Sequence, residues 1–221
     1  MILRFIVPLL LICLQAPPTG APDVFQNPIE VATASKEFST VNELLRGANP
    51  MRASFIEEKH LKALKRPLKS SGKLVLHSER GLYRNTTEPR SSELVLSNVG
   101  ITQRDSEGRV ERIDATKQPI VKSFVDAFLL VLSGDTRGLE AHFRIYFSGS
   151  IESWTLGLAP KKEPLSKVIA SIVVEGSKDR VQRYVIREVS GDCTVVTWTA
   201  VSNKTPLTED EARRWFDWAK P

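Results

Sequence analysis

The sequence predicts an α+β domain built on one antiparallel sheet that curls into an unclosed β-barrel, with helices laid across its mouth. Three observations predict it. Segments that alternate apolar and polar residues follow one another a hairpin apart, the pattern of strands with one buried face. No strand–helix–strand rhythm of the kind that builds parallel sheets interrupts them. One helix near the middle of the chain is apolar over most of its girth, so it is expected to be buried on more than one side. The pattern holds about ten strands and three helices in 221 residues. A twisted sheet of that size curls on itself, and its concave side is what an apolar helix would cover.

The chain opens on Arg4, an apolar run from Phe5 to Leu14, and the small-residue stretch from Ala16 to Ala21. A cation, a short apolar run and small residues, in that order, read as a secretory signal peptide. The run is shorter than the roughly 20 apolar residues that cross a bilayer. Residues 1–21 are therefore expected to be cleaved on export and residues 22–221 to form one soluble domain, working where ATP and nicotinamide cofactors are not available.

The proline-rich stretch from Pro17 to Pro28 reads as an extended leader. From about Thr33 the pattern turns helical: Phe38, Val41, Leu44 and Leu45 share a face, and Gly47 stands where a helix stops. Residues 51–60 alternate about Phe55. Residues 72–78 set Leu74 and Leu76 against Lys73 and His77, and residues 81–86 and 91–97 continue the series with Leu82, Leu94 and Leu96. Asp105-Ser106-Glu107-Gly108 reads as a turn between strands at 101–104 and 109–113.

Pro119 suits the first turn of the central helix. There Ile120, Phe124, Phe128 and Val131 form one stripe, Val121, Val125, Leu129 and Leu132 the next, and Gly134 is expected to end it. Strands return with Phe143, Ile145 and Phe147, then Trp154, Leu156 and Leu158, then a face made of Val168, Ala170, Ile172 and Val174. A strand about Val181 and Val185 follows, and a last one puts Val196 and Trp198 on a common side. Ser177-Lys178-Asp179 and Ser190-Gly191-Asp192 are the turns between them. Thr208-Glu209-Asp210-Glu211 is a capping box, opening a short helix that carries Trp215, Phe216 and Trp218.

Chemical motifs are scarce. The net charge of +5 suits an acidic partner or an anionic membrane surface as well as plain solubility. No cluster of cations with interleaved aromatics points to nucleic acid. Once Cys13 leaves with the signal peptide, Cys193 is alone, so no disulfide and no zinc-type spacing is expected. No nucleophile elbow, zinc-protease helix, P-loop or dinucleotide fingerprint occurs. His60, His77 and His142 each read as surface residues on the polar side of a strand. Glu57 and Glu58 are neighbours on a strand and so point to opposite faces, a poor acid–base couple. The chain is therefore read as no enzyme; a hydrolase would need Cys193, His142 or the carboxylates to converge.

The sharper pattern runs from Phe55 to Pro89. It comprises Phe55-Ile56-Glu57-Glu58-Lys59-His60-Leu61, then Leu64-Lys65-Arg66-Pro67-Leu68-Lys69-Ser70-Ser71-Gly72-Lys73-Leu74, then Gly81-Leu82-Tyr83-Arg84-Asn85-Thr86-Thr87-Glu88-Pro89. This resembles the LolA family of periplasmic lipoprotein carriers, and is most similar to the LolA-like branch with F-x-Q/E-x-K, L-x-R-P-L-x-S-S-G and G-L-x-W-x-T-x-x-P. The resemblance implies an unclosed β-barrel lidded by helices, whose apolar cavity holds the acyl chains of lipoproteins or other lipids. It implies a periplasmic monomer without cofactor, metal or nucleic acid, taking cargo from an inner-membrane donor complex to an outer-membrane receptor. Relatives of this fold also serve as envelope-sensing or protein-interaction modules, which is the alternative reading.

On this resemblance Phe55, Leu74, Leu76, Leu82, Leu94 and Leu96 are expected to line the cavity from the first half of the sheet. Phe143, Ile145, Trp154, Leu156 and Trp198 are expected to line it from the second half, and Phe124 and Phe128 from the central helix. Taken singly, each reads as plain core, since interiors are close-packed; the stripe as a whole is what suggests a hollow. Family members close the lid with a strand-end arginine. Arg80 and Arg84 are the candidates here, and Arg84 departs from the branch by standing where tryptophan is usual.

Overall fold

A computed structural model describes residues 24–26, 28–29, 35–47, 50–133, 135–202 and 206–220. The signal peptide at 1–21, most of the proline-rich leader and the helix stop at Gly134 lie outside them. The alternating segments form one antiparallel sheet. Its strands are β1 (Pro28–Ile29), β2 (Met51–His60), β3 (Leu68–His77), β4 (Gly81–Glu88), β5 (Ser92–Ser97), β6 (Gly100–Asp105) and β7 (Val110–Asp114), then β8 (Phe143–Ser150), β9 (Ser153–Pro160), β10 (Ile169–Ser177), β11 (Arg180–Glu188) and β12 (Cys193–Ser202). The helices are α1 (Lys36–Gly47), α2 (Pro119–Ser133), α3 (Thr136–His142) and α4 (Glu209–Phe216).

The strands lie in the order β1-β8-β9-β10-β11-β12-β2-β3-β4-β5-β6-β7. Two hairpin meanders, β2 to β7 and β8 to β12, are thus joined at a central seam where β12 runs antiparallel to β2, with Trp198 opposite Phe55 and Val196 opposite Glu57. The edge strands β1 and β7 are not paired with each other, so the sheet is curled but unclosed.

Because side chains alternate between faces, the curl divides the apolar residues into an inner and an outer set. The inner set is one large cluster that includes Phe55, Leu74, Leu96, Ile145, Leu156 and Trp198 together with Val125 and Phe128 of α2 and Phe38, Val41 and Leu45 of α1. The central helix is therefore buried against the concave side, as its apolar girth requires. The outer set forms two smaller clusters. In one, Phe216 and Ala219 from α4 and the turn after it cover Val75, Tyr83 and Val95. In the other, Val24 and Phe25 cover Tyr146, Val173 and Val185.

Several sequence expectations change. The leader does not stay extended up to Pro28: Val24–Gln26 is a 3-10 turn docked on the outer face. Gly157 makes this possible, since a Cβ there would lie 2.6 Å from Val24 and 3.0 Å from the Phe25 ring. The expected face of Val168, Ala170, Ile172 and Val174 is broken by a register shift between Ile169 and Ser171, so Ile169 is buried and Ala170 is exposed. The short helix α3 was not expected; the Asp135 carboxylate caps it by accepting the Gly138 N–H at 3.2 Å.

The terminal helix α4 opens on the expected capping box, with the Thr208 hydroxyl accepting the Glu211 N–H and the Glu211 carboxylate accepting the Thr208 N–H. Arg80 donates to Glu209 at 2.9 Å and to Asp217 at 3.3 Å, and Arg52 donates to Glu211 at 3.1 Å. These contacts hold the carboxyls below their usual range: Glu209 through Arg80, Glu211 mainly through the Thr208 N–H, Asp217 mainly through Lys220. A carboxyl with a depressed folded-state pKa stabilises the docked helix at neutral pH, and that stabilisation is lost as pH falls through the folded-state value. Acid titration below pH ~4 is therefore expected to release α4 first, read as a red shift in tryptophan emission that precedes loss of the far-ultraviolet β signal; simultaneous loss of both would contradict it.

At the β3–β4 pairing a register shift lies between Ser71 and Gly72, and a Cβ on Gly72 would sit 1.9 Å from the Asn85 carbonyl oxygen. Because backbone must yield, Gly72→Ala is expected to cost about 2–3 kcal/mol, measured as a lowered midpoint in urea.

Candidate functional site

The candidate site is the concave side of the sheet beneath α2. Along β2 the inward residues are Met51, Ala53 and Phe55, all buried, and the same alternation brings Leu74 and Leu76 from β3, Leu82 from β4 and Leu96 from β5. The second meander contributes Phe143, Ile145, Trp154, Leu156 and Trp198, each at 6 % exposure or less. Phe128 is buried beneath α2, while Leu94 and Phe124 are half-buried against the cluster. All thirteen residues expected to line a cavity thus belong to one connected apolar cluster.

An aromatic ladder ties the roof to the floor. Phe124 stacks on Phe128 at 5.9 Å, Phe128 meets Tyr184 edge-on at 5.9 Å, and Tyr184 meets Trp198 edge-on at 5.9 Å. Burial pushes the Tyr184 phenol pKa upward, so it stays neutral. Sequence reading passed over Tyr184. The strand was read about Val181 and Val185, which an unbroken strand would place on one face; a register shift opposite Gly176 instead sends Val181 to the inner cluster and Val185 to the outer one. Alternation counted from Tyr184 and Ile186, both packed on the inner cluster, was the signal that could have found it.

One polar island interrupts the apolar floor. Arg84 donates from Nη1 to Glu57 at 2.7 Å and from Nη2 to Ser70 at 3.2 Å. Its guanidinium lies 4.1 Å from the centre of the Phe55 ring. Gly72, the partner of Phe55 on β3, places no side chain between them. The Arg84 and Glu57 side chains keep only 22 % and 19 % of their exposure, and Arg84 Nε and the neighbouring Trp198 Nε1 are buried without a hydrogen-bond acceptor. Glu58 faces the other way and pairs with Lys69 at 2.6 Å, so the two carboxylates are on opposite faces as the strand period dictates.

Neither candidate gating arginine has its recorded ion pairs on α2. Arg84 is bonded to β2 and β3 of the sheet, and Arg80 is bonded to α4 and the turn after it on the convex side.

Two clefts open at opposite ends of β3. One of about 300 Å³ lies at the edge of the roof between Leu76, His77 and Ser78 of the sheet and Asp126, Leu129, Leu130 and His142 of the helical layer. His77 and His142 therefore come to one cleft, rather than standing apart on the polar sides of their strands. The other, about 670 Å³, lies under the β2–β3 hairpin, with Glu57 and Ser70 of the polar island among its walls and Lys59, Arg66, Pro67 and Leu68 beyond them. Among the described residues no group of three or more His, Cys, Asp or Glu side chains is placed to hold a metal ion. Burial pushes the Cys193 thiol pKa up, which disfavours the thiolate.

Residues 31–213 match the family model described as outer membrane lipoprotein carrier protein LolA-like. Among curated proteins, no sequence matches. Among solved structures, the chain is similar to a LolA superfamily protein from Nitrosomonas europaea (6 % identity, 80 % of this chain and 97 % of that one, TM-score 0.45). It is also similar to the MucA/MucB complex of Pseudomonas aeruginosa (11 %, 80 % and 60 %, TM-score 0.48). A third is a DUF1329 family protein from Desulfovibrio piger (11 %, 84 % and 100 %, TM-score 0.43). With the family match running through both meanders, all of α2 and the seam between β12 and β2, this chain belongs to the LolA-like family of outer membrane lipoprotein carrier proteins.

Proposed function

We propose that the protein is an exported periplasmic monomer that carries acyl chains of lipoproteins or other lipids beneath α2, from an inner-membrane donor toward an outer-membrane receptor. The observation that supports this most is the continuity of the inner cluster: one apolar surface runs across both meanders and onto the underside of α2. Shielding a hydrocarbon tail from water is worth about 0.8 kcal/mol per CH₂, and only a sheltered apolar surface of this breadth supplies it. In the closed form these side chains pack on one another, so cargo enters by displacing α2. The cleft beside Leu76, Leu129 and Leu130 marks where the roof parts from the sheet.

The ion pairs recorded for α2 favour a roof that can leave. Lys122 and Asp126 bond to each other, at 2.8 Å, along the helix itself. Among the described residues, Val125, Phe128 and half-buried Phe124 pack toward the sheet. An acyl chain offers the vacated surface the same kind of contact, so exchange between roof and cargo is close to balanced. The close packing of the closed hollow favours a second reading, an envelope-protein interaction module that never opens.

Organic extracts of the protein purified from its own envelope are expected to contain acyl lipid by mass spectrometry. Phe124→Ser removes a half-buried roof contact without emptying the core. It is expected to weaken binding of a fluorescent long-chain acyl probe about tenfold while lowering stability by about 1–2 kcal/mol. No lipid in the extract and no probe binding by the unaltered protein would reject the carrier reading in favour of the interaction module.

A further inference from the structure

The β2–β3 hairpin carries the L-x-R-P-L part of the sequence pattern, and the carrier reading leaves it without a role. Residues 59–69 hold five cations, Lys59, Lys62, Lys65, Arg66 and Lys69, and no carboxylate. Lys62, Lys65, Arg66 and Lys69 are exposed. Between them stand Leu64 and Leu68, at 42 % and 52 % exposure two of the most exposed large apolar side chains described. Among the described residues, the recorded carboxylate contacts lie at the base of the hairpin: Glu58 pairs with Lys69, Glu57 with Arg84, and Glu188 and Asp192 flank the end of β2 from the neighbouring turn.

The tip is held stiffly. Leu61 is buried, the Lys62 N–H donates to the buried Asp192 carboxylate at 2.8 Å, and the Leu64 N–H donates to the Leu61 carbonyl at 2.9 Å. Two leucines presented to water on a braced turn lose hydrocarbon burial that a polar pair would not.

We propose that this hairpin is a docking element for the surface of an anionic phospholipid bilayer. An acidic protein would satisfy the cations and leave the leucines wet; a neutral bilayer would take the leucines and leave the cations without counter-charge. Anionic headgroups over a hydrocarbon layer complement both at once. No helix among the described residues is long and apolar enough to cross a membrane, so contact through this tip is peripheral and reversible. Docking turns the cleft of about 670 Å³, which runs from Arg66 and Leu68 back to Glu57 and Ser70, toward the lipid. The proposal is separate from cargo binding and stands whether or not the hollow opens.

The test is co-sedimentation with vesicles of phosphatidylcholine alone or mixed with phosphatidylglycerol, at low and high salt. The unaltered protein is expected to bind the mixed vesicles at least tenfold better than the neutral ones, and to lose that preference as salt screens the charges. Lys62→Glu with Lys65→Glu, and separately Leu64→Ser, are each expected to weaken binding at least fivefold. These side chains lie outside the hollow, so urea midpoints and acyl-probe binding should stay unchanged. Equal binding to both vesicle types, or variants that bind like the parent, would overturn the proposal. So would a parent that ignores vesicles but binds polyglutamate, which would make the tip a site for an acidic protein.

Discussion

A curled sheet with an apolar inner face cannot stand open to water. Burial of that face is the constraint that organises the rest of this molecule. The sheet is not closed, because β1 and β7 do not meet, so strand pairing alone cannot hide the inner side chains. A helix that is apolar around most of its girth does so instead. The same curl makes a convex face, and its apolar residues are covered in turn by α4 over β3 to β5 and by Val24 and Phe25 over the second meander. The two kinds of cover differ in attachment. The convex cover α4 is fastened by Arg80 and Arg52 to three carboxylates, whereas the recorded side-chain ion pair on α2 lies within the helix. On the proposed carrier function, cargo would compete with packing, and ion pairs would add a geometric lock that a hydrocarbon chain cannot replace.

The polar island on the floor is the place where the apolar rule is broken. Arg84 brings a cation among apolar side chains, with its guanidinium lying over the Phe55 ring. Its charge is offset by Glu57 of β2, and it also donates to the Ser70 hydroxyl of β3, the strand that carries Gly72. Such a network binds three strands near the seam. It gives the concave side one polar end, beside the hairpin cleft, and leaves the other end, beside the roof cleft, lined by leucines together with two histidines, a serine and an aspartate.

Much of this was legible in the sequence, because strand alternation and helix girth report directly on which face is buried. The inner residues Phe55, Leu74, Leu96, Ile145 and Trp198 were found that way, and the extent of α2 from Pro119 was read from one proline and two apolar stripes. What the sequence hid was where the period slips. Register shifts at Ile169 and at Gly176 exchange inner for outer residues in β10 and β11, which misplaced Ala170 and concealed Tyr184. A period-2 rule has no means of locating a bulge. Nor could it pair Arg80 with α4, a contact between residues 129 positions apart in the case of Glu209, or bring His77 and His142 to one cleft.

Acyl-chain carriage beneath α2 requires the helix to open as a unit while the sheet stays intact. Native-state hydrogen exchange measures that directly. The α2 amides are expected to exchange through a local opening far faster than those of β2 and β12 at the seam, and to slow when a long-chain acyl ligand is added. Should α2 exchange only at the rate of global unfolding, with or without the ligand, the roof does not move and the carrier mechanism fails.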